Sequence, residues 1–322
     1  MNLQESGDSD SDKDPAPLSV PLSSLRKRTD AKVPALAFGL YKVPNGDEGV
    51  RIISDAILRA GYRHLDSASI YGNEKTLGRA LADCYCGRTK EISNGSSEPK
   101  ILERSELFVA SKVWNNVQRE GRPAVRRSVE QSLDDLGLEY LDVCYVHWPV
   151  PGCFVGTYQE LLSLQKEGKI KFLGISNFRI EDYQELLAKI PQTEFLPPLI
   201  HQLEVSPFMY RPDIIEYFTQ EKILVAASKA LNRTIGLDSH DGVVIRDIAK
   251  CHSITPAQVL LRWSYQKGLI VLSKTTSLSR MKENRAIFGF SLSSQEMNRL
   301  DVITKEEVVR ARDELEVKRR TN

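Results

Sequence analysis

The feature that most constrains the fold is a repeated alternation of short apolar segments with longer amphipathic ones. Eight apolar segments follow one another along the 322 residues, at 34–39, 62–66, 106–112, 140–147, 170–176, 198–204, 223–228 and 269–274. Between them, apolar residues recur every three or four positions, as in AVRRSVEQSLDDLG (124–137), which is the spacing of a helix with one buried face. Strands this apolar do not face water, so they predict a sheet covered by helices.

Eight strand and helix units predict a (β/α)8 barrel, the TIM barrel, in which parallel strands form a closed inner sheet surrounded by helices. The alternative is an open doubly wound sheet, which would normally carry a G-x-G-x-x-G dinucleotide-binding turn after a strand. The sequence contains no such run. The segment PLSVPLSSLRKRTDAKV before the first strand is expected to form a small hairpin that closes the barrel floor.

Two polar segments lie outside this repeat. Residues 1–17 are rich in acids, Ser and Pro and contain almost nothing to bury, so they are predicted to be a disordered acidic tail. Residues 85–105 are long and rich in turn formers, and they join a helix to the next strand, on the barrel face opposite an active site. We therefore expect residues 18–322 to form one barrel domain with a surface insertion at about 85–105.

Composition excludes several kinds of partner. Lys+Arg 44 against Asp+Glu 43 gives a formal charge of +1, so no nucleic acid or anionic membrane partner is expected. No apolar run reaches the roughly 20 residues of a membrane span, and no signal peptide is recognisable, so a cytoplasmic location is expected. The five scattered cysteines fit reduced thiols, and the pair Cys84 and Cys86 has no second pair beside it, so no metal site is predicted.

Polar residues interrupt the apolar segments near the ends that become the carboxyl ends of strands, where barrel active sites lie. Asp66 is followed by Tyr71, and Lys112 and His147 end two further strands. Taken singly, each has an ordinary explanation, because a strand-end Asp often forms a turn and a lone histidine is often a satisfied core residue. Unpaired buried polar groups are costly, so four of them at one rim are expected to meet. We call Asp66, Tyr71, Lys112 and His147 the polar tetrad.

The polar tetrad predicts proton donation to an oxygen atom. A tyrosine with a pKa of about 10 is a poor acid at neutral pH unless its neighbours tune it. Lys112 beside the phenol is expected to lower that pKa, Asp66 to hold the ammonium, and a neutral His147 to orient a carbonyl oxygen. The sequence has no G-x-S-x-G elbow and no HExxH spacing, so hydride from a nicotinamide cofactor is the complementary chemistry.

Five motifs in order resemble the signatures of the aldo-keto reductase family: GYRHLDSASIYGNE, LFVASKVW, YVHWPVPG, LGISNF and SKTTSLSRMKEN. The resemblance covers roughly Val33 to Asp301, and the short HWPVPG segment, followed directly by a helix, looks like the compact bacterial and fungal members. It implies reduction of small aldehydes or ketones to alcohols with NADPH, and the reverse oxidation. The only partner expected is a small-molecule carbonyl substrate, bound by a monomer. Tyr71 would be the general acid, Lys112 and Asp66 its tuning pair, and His147 the group that orients the carbonyl.

The same resemblance implies a cofactor site and a substrate pocket. At the nicotinamide it implies Ser176, Asn177, Gln202 and, at a position that is usually aromatic, Ser228. At the adenosine 2′-phosphate and adenine it implies Lys274, Thr275, Arg280, Glu283 and Asn284. Phosphates are usually bound after the last two barrel strands, and a Lys with an Arg there favours NADPH over NADH. Tyr41, Trp114 and Trp148 match the aromatic walls of the substrate pocket.

One stretch departs from the family pattern. Where members commonly read AYSPLG, this chain reads AASKALN, so Ser228 replaces a ring that stacks on the nicotinamide, at a cost of about 1 kcal/mol of cofactor binding. The next segment, NRTIGLDSHDG, also fits poorly, which puts the clamp over the pyrophosphate in doubt. These departures favour an alternative function, a weakly catalytic NADP(H)-binding regulatory or sensor protein, as in potassium-channel β subunits. That branch typically lacks the histidine, which is present here as His147.

Overall fold

The computed structural model describes residues 18–19, 32–87, 101–231 and 240–321 of the chain. Its centre is a closed barrel of eight parallel strands in which each strand pairs with the next and the last pairs with the first. The strands are β3 (Leu36–Gly39), β4 (His64–Asp66), β5 (Phe108–Val113), β6 (Leu141–Val146), β7 (Ile170–Ser176), β8 (Ile200–Glu204), β9 (Leu224–Ser228) and β10 (Ile270–Ser273). The predicted (β/α)8 barrel is confirmed.

Helices follow the strands around the outside of the barrel. They are α1 (Gly46–Ser54), α2 (Glu74–Cys86), α3 (Asn115–Arg119), α4 (Arg122–Leu136), α5 (Phe154–Lys166), α6 (Ile180–Lys189), α7 (Pro212–Gln220), α8 (His240–Cys251), α9 (Pro256–Gln266), α10 (Leu278–Arg285), α11 (Ser294–Asp301) and α12 (Glu306–Thr321). The helix α5 begins soon after the HWPVPG segment, as the sequence predicts.

Most strands begin one or two residues later than predicted. The segment at 198–204, for example, forms a strand only over Ile200–Glu204. Pro198 has no N–H to donate, so it cannot take part in the ladder although it is part of the apolar run.

The predicted terminal and inserted segments are only partly described. Two short strands, β1 (Leu18–Ser19) and β2 (Lys32–Val33), pair antiparallel, as expected for the hairpin before the barrel. The predicted acidic tail at 1–17 lies outside the described residues. Of the predicted insertion at 85–105, residues 88–100 also lie outside, and a short 3-10 helix at Arg104–Glu106 leads into β5.

The barrel interior is filled by side chains from alternate strand positions. Tyr145 is fully buried there, and its ring occupies the space beside Gly174 on the neighbouring strand. A Cβ atom at position 174 would lie 2.3 Å from Cδ1 of Tyr145, so any larger residue at that position would collide with the ring. Interior packing of this density keeps the barrel rigid and fixes the directions in which the strand ends point.

The last helix, α12, lies against the carboxyl-terminal end of the barrel. Arg312 bonds to Glu204 at the end of β8 over 3.0 Å, and Arg320 donates to the backbone oxygen of Asn177, after β7, over 3.2 Å. The sequence analysis did not identify this helix. It joins the rim on which the predicted site residues lie.

Candidate active site at the carboxyl ends of the strands

An ion pair between two neighbouring strands forms the base of the site. Asp66 ends β4 and Lys112 lies near the end of β5, with Nζ 2.7 Å from Oδ2 of Asp66. The same ammonium donates to the backbone oxygen of Ser67 over 2.7 Å. Gln202 donates from Nε2 to Oδ1 of Asp66 over 2.8 Å. The carboxylate is therefore held on both oxygens, as a buried charge requires.

Tyr71 lies above this pair. It ends the short 3-10 helix Ser69–Tyr71, which Gly72 closes in a left-handed conformation with φ of 67°. Ser69 ties this turn to β5, because its hydroxyl donates to the backbone oxygen of Lys112 over 3.0 Å. The ammonium of Lys112 is 5.1 Å from the centroid of the Tyr71 ring. The predicted meeting of phenol, ammonium and carboxylate is present.

Burial and Lys112 shift the pKa of Tyr71 in opposite directions. Burial raises the pKa of the phenol above 10.0, and the nearby charge and hydrogen bonding of Lys112 lower it by less than burial raises it. Lys112 lowers the pKa, as expected, but desolvation of the phenolate is the larger effect, so the pKa stays above its ordinary value. The phenol is therefore protonated at neutral pH and can act as a donor.

His147 lies directly after β6 and faces Tyr71. The centroids of the two rings are 6.0 Å apart, and the Trp114 ring lies 4.9 Å from His147 on another side. Burial, then the positive charges of Lys112 and Arg319, holds the pKa of this histidine well below 6.5. The imidazole is neutral at physiological pH, as the sequence analysis expected, so it can donate a hydrogen bond to an oxygen.

Three amide and hydroxyl side chains connect the polar tetrad to the next two strands. Ser176 and Gln202 are paired in the register of β7 and β8, and Asn177 follows in a left-handed conformation with φ of 59°. From there Nδ2 of Asn177 donates to the backbone oxygen of His147 and to the hydroxyl of Ser176, each over 3.0 Å. Ser176, Asn177 and Gln202 therefore lie beside the polar tetrad, as predicted.

A second group of predicted residues follows β10. Thr275 is buried and its hydroxyl accepts from the backbone of Ser277, the residue that caps α10. Arg280 is exposed in the first turn of that helix, and Lys274 directly follows β10. Lysine, threonine and arginine thus lie at one rim, at a helix N-terminus, which is a setting suited to a phosphate.

The two residues expected at the adenine are engaged with the protein itself. The carboxylate of Glu283 accepts from the hydroxyl of Thr255 over 2.7 Å, and Thr255 caps α9. Asn284 is 2% exposed, and its side chain lies near the Tyr62 hydroxyl, whose pKa it lowers. These contacts hold α10 against the barrel, and their proposed role at the adenine stays a prediction.

Ser228 ends β9 beside Glu204 in the register of the barrel. The next residue, Lys229, has a positive φ of 53° and its ammonium is 2.7 Å from Oε2 of Glu204. The poorly fitting segment at 232–242 lies mostly outside the described residues, which end at 231 and resume at 240. The departure of this region from the family pattern therefore stays a prediction.

Aromatic rings surround the polar tetrad. Tyr41 is 57% exposed, and its ring centroid is 5.2 Å from that of Tyr71. Trp114 packs edge-on against His147. Trp148 is buried, and the guanidinium groups of Arg312 and Arg319 lie 5.8 and 5.6 Å from its ring. The three predicted wall residues thus lie around one mouth.

The arginines of α12 are the rim residues that the sequence analysis missed. Arg312, Glu316 and Arg320 recur every four residues, which places them on one face of a helix. That spacing could have indicated a helix with one charged face. The helix face was not recognised as buried because charged residues normally lie on solvated faces, whereas these three side chains are less than 10% exposed.

Neither a metal-binding cluster nor a membrane-spanning helix is found in the described part of the chain. Within it, no three His, Cys, Asp or Glu side chains come together in a way that would hold a metal ion. No helix formed by these residues combines the length and the apolar character that a bilayer crossing demands.

The fold and the site define a class of protein. A closed (β/α)8 barrel that brings a phenol donor, a paired ammonium and a neutral imidazole together at its carboxyl end has the proton-transfer groups of an oxidoreductase. The profile of the Aldo/keto reductase family matches residues 35–305, which is most of the chain. The chain therefore belongs to the aldo/keto reductase family, as the motifs indicated.

Known proteins agree with this assignment. The chain is similar to the glyoxal reductase of Bacillus subtilis, with 32% identity over 286 residues, covering 89% of this chain and 94% of that protein. It is similar to the aldehyde reductase YPR1 of Saccharomyces cerevisiae, with 30% identity over 302 residues, covering 85% and 89%. The predicted likeness to bacterial and fungal members is confirmed.

A solved structure also matches the chain. The crystal structure of a Gox0644 mutant in complex with NADPH is 28% identical, with a TM-score of 0.74, and the match covers 86% of this chain and 92% of that one.

Proposed function

We propose that this protein reduces small aldehydes or ketones to alcohols with NADPH, with Tyr71 as the general acid. The observation that carries the proposal is the convergence of a protonated phenol, a buried Lys112–Asp66 pair and a neutral His147 at one mouth. The names of the relatives, a glyoxal reductase and an aldehyde reductase, support carbonyl reduction.

Each residue of the polar tetrad has a separate role in the proposed reduction. His147 and Tyr71 hydrogen-bond the carbonyl oxygen of the substrate and orient it. As negative charge develops on that oxygen, Tyr71 transfers its proton and becomes a phenolate. The ammonium of Lys112 stabilises the phenolate, and Asp66 holds the ammonium in place over 2.7 Å. In the reverse oxidation the phenolate accepts the proton.

The cofactor, when bound, supplies the hydride that attacks the carbonyl carbon. The donor set at the rim fits such a group, because Ser176, Asn177 and Gln202 offer amide and hydroxyl groups beside the polar tetrad. Lys274, Thr275 and Arg280 at the start of α10 suit a 2′-phosphate. The NADPH complex of the similar Gox0644 structure supports the same choice of cofactor.

The test is turnover of benzaldehyde with NADPH, followed at the absorbance of the reduced nicotinamide. Tyr71→Phe removes the proton donor and is expected to lower kcat by about 100- to 10,000-fold. The matched control is Tyr145→Phe, because the Tyr145 hydroxyl lies inside the barrel with no hydrogen-bond partner among the described residues. The control variant should keep the rate of the wild type.

Two results would contradict the proposal. Equal kcat values for the wild type and Tyr71→Phe would remove Tyr71 from the mechanism. Tight NADPH binding without reduction of any carbonyl compound would favour the regulatory or sensor function, for which the serine at position 228 is the supporting observation.

A further inference from the structure

Three arginines of α12 lie toward the mouth of the barrel, and two of them are neutralised. Arg312 lies 3.0 Å from Glu204 and 3.0 Å from Glu316. Arg320 lies 2.9 Å from Asp182. Arg312 and Arg320 are both buried. Because their charges are paired with these carboxylates, they anchor the helix to the rim.

Arg319 has a different environment. Its side chain is exposed, its guanidinium lies 5.6 Å from the centroid of the Trp148 ring, and no carboxylate of the described residues forms an ion pair with it. Its position is set by the backbone, because Asn115 donates from Nδ2 to the backbone oxygen of Arg319 over 2.7 Å. The helix therefore holds an uncompensated positive charge above a wall of the site.

This charge is close to the reacting groups. Trp148 directly follows His147, and the positive charge of Arg319 is felt at that imidazole. On the Tyr41 wall, the ammonium of Lys42 lies 5.4 Å from the ring centroid. Lys42 and Arg319 therefore each lie against the ring of one wall residue.

The acidic groups at this rim would not repel an anion strongly. Glu204 is bound by Arg312 and by Lys229, and Asp182 is bound by Arg320. The charges of these two carboxylates are therefore neutralised, whereas that of Arg319 is not.

We propose that Arg319 is a specificity-determining residue that binds a carboxylate of the substrate, so the preferred substrates are aldehydes or ketones that also carry a carboxylate. This inference rests on the proposed carbonyl reduction. A guanidinium that lies over an aromatic ring keeps its in-plane N–H donors available, and their fork geometry matches a carboxylate. The ring of Trp148 would then limit where the rest of the substrate can lie.

The experiment compares two aldehydes of the same shape, 4-carboxybenzaldehyde and 4-formylbenzamide, together with their 3-substituted isomers. The wild type should prefer the acid in at least one isomer pair. Arg319→Gln should lower the acid-to-amide ratio of kcat/KM by about tenfold, the size of one charge-assisted hydrogen bond. The change should appear in KM, because the carboxylate is bound alike before and during the reaction.

Two further variants sharpen the comparison. Arg319→Lys keeps the charge but loses the fork geometry, so it should retain part of the preference. Arg310→Gln is the matched control, because Arg310 lies on the same helix but pairs with Glu306, and it should leave the ratio unchanged. Raising the salt concentration should weaken the preference of the wild type.

The outcomes separate this inference from the proposed function. Turnover of both aldehydes with no preference for the acid, or the same ratio in Arg319→Gln as in the wild type, would overturn the role of Arg319 alone. If no carbonyl compound is reduced, the proposed function fails, and calorimetric binding of benzoate against benzamide then decides the anion site. Equal benzoate affinity of the wild type and Arg319→Gln would overturn it there as well.

Discussion

Each end of the barrel carries an ion pair between neighbouring elements, and the two ends use their pairs differently. At the amino end, Asp142 near the start of β6 is bound by Arg104 over 2.7 Å and lies 3.5 Å from Lys171. Both cations also lie over the ring of Tyr140, at 4.1 and 3.9 Å. At the carboxyl end, the pair of Asp66 and Lys112 lies deeper.

The difference lies in what surrounds each pair. Asp142 also accepts from the backbone N–H of Val109 over 2.9 Å, so the amino-end pair joins two strands and stabilises the barrel. The carboxyl-end pair has Tyr71 beside it, and the Tyr71 ring faces that of His147. A buried charge alone is therefore a weak indication of function, and its neighbours decide the interpretation.

Two buried histidines, one at each end of the barrel, differ in the same way. His64 begins β4 and Asp66 ends it, so both side chains point into the barrel. Burial lowers the pKa of His64 to about 4, and its ring contacts Phe108 and the backbone oxygen of Pro34. His147 has a pKa lowered in the same direction, but it faces a phenol and an aromatic pocket. A shifted pKa occurs at both ends, whereas the cluster of donors occurs at the carboxyl end.

The largest effect on stability and turnover is expected when the cation of each ion pair, Lys112 or Arg104, is replaced. Lys112→Met leaves the carboxylate of Asp66 buried without its counter-ion, so the free energy of unfolding should fall by about 3–5 kcal/mol. Turnover should fall by at least about 100-fold, since the phenolate loses its stabilising charge. Arg104→Met removes a partly exposed cation and should cost about 1–2 kcal/mol with normal turnover. Urea unfolding and NADPH-linked assays measure both quantities.

Equal losses of activity in Lys112→Met and Arg104→Met would break the comparison. That result would mean that the amino-end pair also supports the reaction, through the strands it joins.

The next effect concerns pH. The pKa of His64 is about 4 in the folded protein and about 6.5 when unfolded, so below pH 6.5 the unfolded chain takes up a proton that the folded one does not. Stability is thus fully present above pH 6.5 and falls as the pH decreases, by about 2 kcal/mol for this group between pH 6.5 and pH 5. His64→Leu should remove that part of the acid sensitivity, measured by urea unfolding at several pH values.

His147 provides the matching case at the other end. His147→Leu should reduce the acid sensitivity in the same direction, because the pKa of His147 is also lowered. Unlike His64→Leu, it should also lower turnover sharply. An acid sensitivity that neither variant changes would show that other groups dominate the unfolding in acid.

The smallest effect is expected at the cofactor rim. Arg280→Ala should raise the Kd for NADPH by about tenfold, because one charge-assisted contact to the 2′-phosphate is lost, and should leave the Kd for NADH nearly unchanged. Lys282→Ala, at an exposed position of the same helix, is the control. Fluorescence titration of each cofactor gives the two constants. An equal change for both cofactors would refute the assignment of Arg280.

The sequence was sufficient to predict the barrel and most of the rim. Apolar runs that end in Asp66, Lys112 and His147 indicate the carboxyl ends of strands, and a parallel barrel necessarily brings those ends together. Ser176 and Gln202, which the family resemblance assigns to one cofactor site, are paired in the register of neighbouring strands.

Features that depend on packing could not be predicted in the same way. Burial decides the direction of the Tyr71 pKa, and the degree of burial is set by rings distant in sequence, such as Tyr41. The docking of α12 was missed because its arginines find acidic partners on two distant elements, Glu204 on β8 and Asp182 on α6, which no local pattern reveals. The contact of Asn284 with Tyr62 likewise depends on how α10 packs.

The close approach of Tyr145 to Gly174 has a consequence for the history of this barrel. The two positions share one volume, so a side chain can grow at 174 only if the ring at 145 becomes smaller. Homologous sequences should therefore show these two sites changing together. An alanine or serine at position 174 should be accompanied by a side chain smaller than tyrosine at position 145. Substitution of one site alone would leave either a collision or an empty space in the centre of the protein.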